Sequence, residues 1–401
     1  MNTIYNISIW FYIIAIQIAA LFNHKAKLWI TTRKDLFKKL SKTLKNNNKI
    51  VWVHCSSLGE FEQGKPIIKS YKSKNPDHQI LLTFFSPSGF EIRKKTSIAN
   101  WVFCLPADTK SNAKRFIQLV SPIKVIFIKY EFWFNYMSEL HKNNIPFYSV
   151  STVFRDGQHF FKYKWFAKQL KHVTHFFVQD ENSAQLLKKI GCNNYTISGD
   201  TRFDTALANK IRSKNMPIIN MFSKGKKCII CGSTWPKDEK ILIKYIKNHP
   251  EKKYIIAPHE LTNISNLKKQ TNALLYSNTN EGNILTSNVL IIDNIGMLSN
   301  IYKYGDIAYI GGGFGAGIHN ILEAVAFGLP VIFGPNYYKH NEAISLIQEK
   351  GAISISNYTQ LRLAIDSLNT FDNSIALNYI KKNAGATQKI LATQIINSSV
   401  F

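Results

Sequence analysis

The chain has 401 residues, of which 45% are hydrophobic and 19% charged. That balance excludes a disordered chain, and the length suits two or three domains with cores of their own. Lys and Arg number 51 against 25 Asp and Glu, a formal charge of +26. Such an excess implies anionic partners: nucleic acid, anionic lipid or a phosphorylated substrate. The five cysteines, Cys55, Cys104, Cys192, Cys228 and Cys231, are odd in number and scattered, a usage of reducing compartments. Cys228 and Cys231 form a lone C-x-x-C inside an apparent strand. Positions i and i+3 of a strand face opposite ways, so they read as two buried residues, with a metal or redox pair as the alternative.

Residues 4–22 are almost wholly apolar, and about 20 such residues can span a bilayer. A cationic tract follows: Lys25, Lys27, Arg33, Lys34, Lys38, Lys39, Lys42, Lys45 and Lys49, opposed only by Asp35. A secretory signal carries its charges before the apolar run. Charges after it predict an uncleaved anchor with the bulk of the protein cytoplasmic. A helix lying in the membrane surface, or buried against the domain, are the other readings. Residues 1–49 thus form an anchor and a basic juxtamembrane segment, set against an anionic membrane surface.

Ile50–Val53 read as a buried strand. Ser56, Ser57 and Gly59 make a small-residue turn, and Glu60 stands where a helix begins. Ser57-Leu58-Gly59-Glu60 fits the S-x-x-E capping box. A helix start also favours an ionised carboxylate, which a general base requires. Strand and helix patterns then alternate. QILLTFF, WVFCLPA, KVIFIKYEFWF, IPFYSVS, HFFVQD and NYTISGD read as strands, with a polar, aromatic helix over 158–171. Strands spaced by helical patterns predict βαβ units and a mostly parallel sheet, here over residues 50–205. Residues 206–226 have loose periodicity and read as a linker. CIICGS, KYIIAPH, NVLIID, IAYIGG and LPVIFG repeat the strand pattern over 227–375, and 376–401 read as a helical tail. The predicted fold class is α/β, with two similar domains and a ligand cleft between them.

Several strand ends carry polar residues. Glu131 ends an aromatic strand and must be paired there. It reads as a structural ion pair or as a site residue holding a polar group. Arg202 lies between Asp200 and Asp204. It suits phosphate or carboxylate binding, or a local salt bridge. Gly311–Gly317 follow a strand and precede the helical pattern HNILEAVAFG. Glycines there admit a ligand to the backbone. The spacing departs from a dinucleotide fingerprint. Asn320 and Glu323 are placed on one face of that helix's first turn, where a carboxylate can accept both ribose hydroxyls. His259, Glu260 and Ser233 occupy the same topological position after other strands, Ser233 with helix capping as its plainer reading.

WVHCSSLGEFEQGKPII, TFFSPSGFE, LPADTKSNAKRFI, YEFWFN, SGDTRFD, CGSTWPKDE, APHE, DNIGMLSNIYKYGDIAYIGGGFGAGIHNILEA and GLPVIFGPNYYKHNEA together resemble the 3-deoxy-D-manno-octulosonic acid (Kdo) transferases of lipopolysaccharide assembly. The resemblance runs over essentially the whole chain. It implies a GT-B glycosyltransferase with two Rossmann-like domains, an acceptor-binding N-terminal domain, a CMP-sugar-binding C-terminal domain and a last helix crossing back to the first. The implied donor is CMP-Kdo and the acceptor a lipid A precursor (lipid IVA). Transfer goes with inversion and without a cofactor or metal, at the cytoplasmic face of a Gram-negative inner membrane.

By motif, Glu60 matches the family's general base, and Glu131 and Arg202 match transition-state stabilisers. Pro258, His259, Ile295, Gly296, Met297, Asn320, Ile321, Leu322 and Glu323 match segments that contact CMP. Met297 departs from relatives that carry Glu there. Another GT-B transferase with a different nucleotide sugar is the alternative. A membrane-tethered nucleic-acid-binding protein is a remote one, because no basic face interleaved with exposed aromatics is evident.

Overall fold

The computed structural model describes residues 2–44, 49–129 and 131–393. Lys45 of the basic tract, Tyr130 and the end of the tail lie outside the described residues. The chain divides into two compact units. One runs to Thr205 and resumes at Ala384; the other is Ala206–Asn383.

The first unit holds β1 (Ile50–Cys55), β2 (Gln79–Phe84), β3 (Trp101–Cys104), β4 (Lys124–Ile128), β5 (Phe147–Thr152), β6 (His175–Val178) and β7 (Tyr195–Ile197). They form one sheet in the order β3-β2-β1-β4-β5-β6-β7. The second unit holds β8 (Cys228–Thr234), β9 (Lys253–Pro258), β10 (Leu274–Leu275), β11 (Val289–Ile291), β12 (Ile307–Ile310), β13 (Val331–Phe333) and β14 (Ala352–Ser354), ordered β10-β11-β9-β8-β12-β13-β14. Each neighbouring pair is parallel. Parallel strands covered on both faces read as unbroken apolar runs; Val51, Trp52 and Val53, and Ile229 to Cys231, are accordingly buried. Two core clusters flank the first sheet, one around Trp52 and Phe127 and one around Val53 and Ile126. Cys228 and Cys231 are both buried and unbridged.

Four local differences from the sequence reading matter. The strand expected to run to Phe134 ends at Ile128, because Lys129 takes a left-handed φ of 66°. Residues 206–226 are largely helical: Thr201–Ile211 and Pro217–Ser223. The helix expected over 158–171 is two, His159–Lys162 and Lys164–Leu170, broken at an extended Tyr163. The helix Asn373–Asn383 lies in the second unit, so the return to the first begins at Ala384. The returning helix Ala386–Ala392 buries Ile390 and Leu391 in the first unit's core beside Ile67 and Ile68. Asp204 accepts hydrogen bonds from the backbone of Gly385 and Thr387, both at 2.6 Å, and so holds the start of that helix.

The apolar N-terminal run is a helix, Asn2–Ala19, fastened along one side to the first unit. The Tyr5 hydroxyl donates to Asp108 (2.5 Å), Asn135 to Asn6 (3.0 Å) and the Trp165 indole to Asn2 (2.8 Å). Its other side exposes Ile4, Ile7, Trp10, Phe11 and Ile18, and the chain beyond exposes Leu21 and Phe22. Lys25, Lys27, Lys34, Lys38, Lys39 and Lys42 are exposed. Arg33 differs from them. It donates to the carbonyls of Leu105 (2.8 Å), Phe85 (2.6 Å) and Trp29 (3.1 Å) and lies over the Trp29 ring. Arg33 is therefore a packing residue and not part of the free cationic surface.

Candidate active site

In an open parallel sheet, ligands bind beyond the carboxyl ends of the strands, where the strand order reverses. The first sheet reverses between β1 and β4. Glu60 follows β1 and Glu131 follows β4, so topology alone brings the two carboxylates to one crevice.

The helix Leu58–Lys74 begins at Ser57, whose Oγ accepts from the Gly59 backbone (3.2 Å). The reciprocal capping box is absent among the described residues: the Ser57 hydroxyl donates directly to the Glu60 carboxylate. That leaves the other Glu60 oxygen to Lys129 Nζ, 3.6 Å away. Close packing fixes the turn. A Cβ on Gly64 would stand 2.9 Å from Ile128, so only glycine lets this helix lie so near β4. The Ser86 backbone donates to the Ser56 carbonyl (2.7 Å), which ties in the SPSGF turn.

Lys129 reaches Glu60 because its backbone is bent and pinned. Its N–H donates to Val150 (2.7 Å), and its carbonyl accepts from Ser149 (2.9 Å) and Thr152 (3.3 Å). Burial, and then the Glu60 charge, push the Glu131 carboxyl up to about 7; Ser56, Trp133 and Lys129 oppose the shift. Beneath it, His54 is fully buried, its Nδ1 2.9 Å from the Thr83 hydroxyl and its Nε2 4.0 Å from Glu131. Burial holds His54 down to about 3, a neutral imidazole. Lys129 and His54 were not singled out from the sequence. No pattern marks a left-handed lysine, and a histidine in an apolar strand reads as core.

Arg202 makes the local salt bridge. Its guanidinium meets Asp200 at 2.7 and 2.8 Å, while Asp204 is occupied with the C-terminal helix. Thr201 and Thr205, either side of it, donate to the carbonyls of Gln63 (2.8 Å) and Glu62 (3.2 Å). Arg202 thus sits on a helix tied to the first turns of the Glu60 helix.

The second sheet reverses between β8 and β12. Asp238, fully buried, organises this crevice. It accepts from the Trp235 backbone (2.9 Å), the Gly312 backbone (3.0 Å) and the Tyr309 hydroxyl (2.8 Å). The glycine turn passes between strand ends. A Cβ on Gly313 would lie 2.6 Å from Gly334 N, and one on Gly311 2.6 Å from Thr234 Cα. Trp235, not Ser233, caps the helix Pro236–Asn248; Ser233 has a left-handed φ of 53°.

Pro258 ends β9, and the exposed His259 stacks on Trp235 and His319. Ile295 and Gly296 are exposed, and Met297 precedes the short helix Leu298–Ile301. Asn320 lies before the helix rather than in its first turn. The helix is only Leu322–Ala326, and Asn320 accepts from the Leu322 backbone (3.1 Å). Ile321 and Leu322 are fully buried core residues, so only their backbone can meet a ligand. Glu323 is partly buried and helps push up the buried Tyr302 hydroxyl.

Two α/β domains, each built on a parallel sheet of seven strands, define the class of fold: two Rossmann-like domains of the GT-B type. Solved structures agree on the fold. A UDP-GlcNAc 2-epimerase from Neisseria meningitidis superposes with a TM-score of 0.61 at 13% identity, covering 88% of this chain and 100% of that one.

Residues 31–205 match the family model described as 3-deoxy-D-manno-octulosonic-acid transferase (kdotransferase). The chain is 27% identical to the 3-deoxy-D-manno-octulosonic acid transferase of Aquifex aeolicus, over 80% of this chain and 86% of that protein. It is 25% identical to that of Haemophilus influenzae, over 85% of each. The family model and these relatives agree with the resemblance read from the motifs. These relatives support Kdo transferase activity, a glycosyltransferase reaction of the bacterial cell envelope.

Proposed function

We propose that the protein transfers Kdo from CMP-Kdo to a lipid A precursor, lipid IVA, with inversion and with no cofactor besides the donor. The observation that carries this reading is the carboxylate pair at the β1/β4 switch point with Lys129 against it. Glu60 takes the proton of an acceptor sugar hydroxyl as that oxygen attacks the anomeric carbon of Kdo. The bond from that carbon to the CMP phosphate oxygen breaks in the same displacement, and CMP leaves with the electron pair. One displacement inverts the centre. Lys129 offsets the Glu60 charge until the proton arrives.

Glu131, poised near neutrality, orients the acceptor or its cationic neighbours. Arg202, oriented by Asp200, offsets charge on the phosphate or the Kdo carboxylate. Pro258, His259, the Ile295–Met297 loop, Asn320 and Glu323 are assigned to the CMP moiety, with Ile321 and Leu322 acting through their backbone.

The apolar side of the N-terminal helix and the exposed lysines beyond it suit a membrane surface bearing anionic lipid. Because the opposite side is hydrogen-bonded to the domain, we assign the helix to the plane of the inner membrane's cytoplasmic face rather than across it. The test is direct. Membranes containing the protein are incubated with CMP-Kdo and tetraacylated lipid A precursor, and the products weighed by mass spectrometry. A Kdo adduct made by the wild-type chain and absent with E60Q supports the reading. No adduct, or one that E60Q still makes at the normal rate, refutes it.

A further inference from the structure

Three aromatic side chains meet beside the glycine turn of the second domain, and one hydrogen bond among them has a fixed sense. The Trp235 indole Nε1 lies 2.9 Å from His319 Nε2. An indole nitrogen can only donate. His319 Nε2 must therefore accept, and a neutral ring that accepts at Nε2 carries its proton at Nδ1. The two rings are parallel to within 6°, which suits a bond in the indole plane. His259 covers both, with ring centroids 4.7 Å from Trp235 and 4.4 Å from His319. The His319 backbone donates to Gly311 (3.1 Å), and its Cδ2–Nε2 edge faces Gly312, where an added Cβ would stand 3.0 Å away. The opposite edge bears Nδ1, for which no hydrogen-bond partner is found among the described residues.

We propose that Trp235 is a positioning residue that locks His319 in its Nδ1-protonated neutral form, and that this N–H donates to a phosphate oxygen of the donor nucleotide as it lies along the glycine turn. This rests on the reading of the second domain as the nucleotide-sugar site. The charged form of His319 is disfavoured as well. Burial, with His259 and His340 as its titratable neighbours, holds it down to about 4. The ring is therefore a neutral donor across the physiological range, and donor binding does not vary with its charge.

The test uses the full chain labelled with ¹⁵N-histidine, as wild type, W235F, and W235F with H319N added. Phenylalanine keeps the stacking and removes the N–H. Asparagine puts an amide donor where Nδ1 stood, independent of Trp235. Nitrogen spectra read the tautomer without any ligand, and calorimetry reads CMP and cytidine binding. The wild type is expected to show His319 protonated at Nδ1 and to bind CMP more tightly than cytidine. W235F is expected to mix tautomers and lose about tenfold in CMP affinity, about 1.4 kcal/mol, with cytidine unchanged. The double variant should recover CMP binding. An Nε2-protonated His319 in the wild type, or CMP binding indifferent to W235F, overturns the inference alone. A wild-type protein that binds no CMP overturns it together with the donor assignment.

Discussion

Replacing Glu131 with Gln is predicted to stabilise the protein while impairing it. Glu131 is raised from 4.5 to about 7, first by burial and then by Glu60, and its side chain is 18% exposed. A raised carboxyl binds its proton more tightly in the folded state. Its contribution is thus complete below about pH 4.5 and is lost as pH climbs through about 7. The difference of about 2.5 units corresponds to about 3 kcal/mol at 1.36 kcal/mol per unit. Gln has the size of the protonated acid and no charge to bury. E131Q should therefore match wild type near pH 4.5 and exceed it by up to about 3 kcal/mol at pH 8. Denaturant midpoints measured across that range, wild type against E131Q, check this. A stability difference that does not grow between about pH 5 and pH 8 would refute the claim that Glu131 is forced to ionise in a buried site. A gain in stability joined to a loss of turnover is the mark of a residue kept for function.

Glu60→Gln removes the carboxylate proposed as the base but keeps a side chain that Ser57 can hold. Turnover should fall by about 10²–10⁴-fold with little change in melting temperature, and CMP-Kdo consumption checks it. Asp204→Ala removes two charge-assisted bonds from the start of the C-terminal helix, an expected loss of about 1–2 kcal/mol. Denaturation and faster proteolysis after Asn383 would report it; an unchanged cleavage rate would count against the latch. Exchanging Lys25, Lys27, Lys34 and Lys38 for Ser should weaken binding to anionic vesicles by up to about a thousandfold, at about 1 kcal/mol each. The apparent KM for lipid acceptor should rise and that for CMP-Kdo should not. Arg33 is left in place, since its three backbone bonds make any change there a folding defect.

The elements that were plain in the sequence are those whose burial is continuous. A parallel strand covered on both faces writes itself as an apolar run, so β1, β4, β8 and β9 are visible directly. Glu60 and the glycine turn are legible for a related reason, since small residues must stand where a strand turns into a helix. Hidden features depend on contacts between distant segments. The left-handed Lys129 is held by Val150, Ser149 and Thr152, none of them within the motif that contains it. Trp235 and His319 are 84 positions apart and meet only through the β8/β12 crossing. The two-residue β10 is too short to have a period. Arg33 reads as one cation among nine until the carbonyls of Phe85 and Leu105 are placed around it.

The helix held by Asp204 bears on the order in which the molecule can be made. Domains fold as units during synthesis, the N-terminal one first as a rule. Here the Glu60 helix packs against Ala386–Ala392, residues that leave the ribosome after the whole second domain has been built. The first domain must therefore wait, with part of one face of the Glu60 helix uncovered, until the second is complete. A nascent chain stopped before Ala384 would carry every residue assigned to proton transfer and still lack the wall that steadies them.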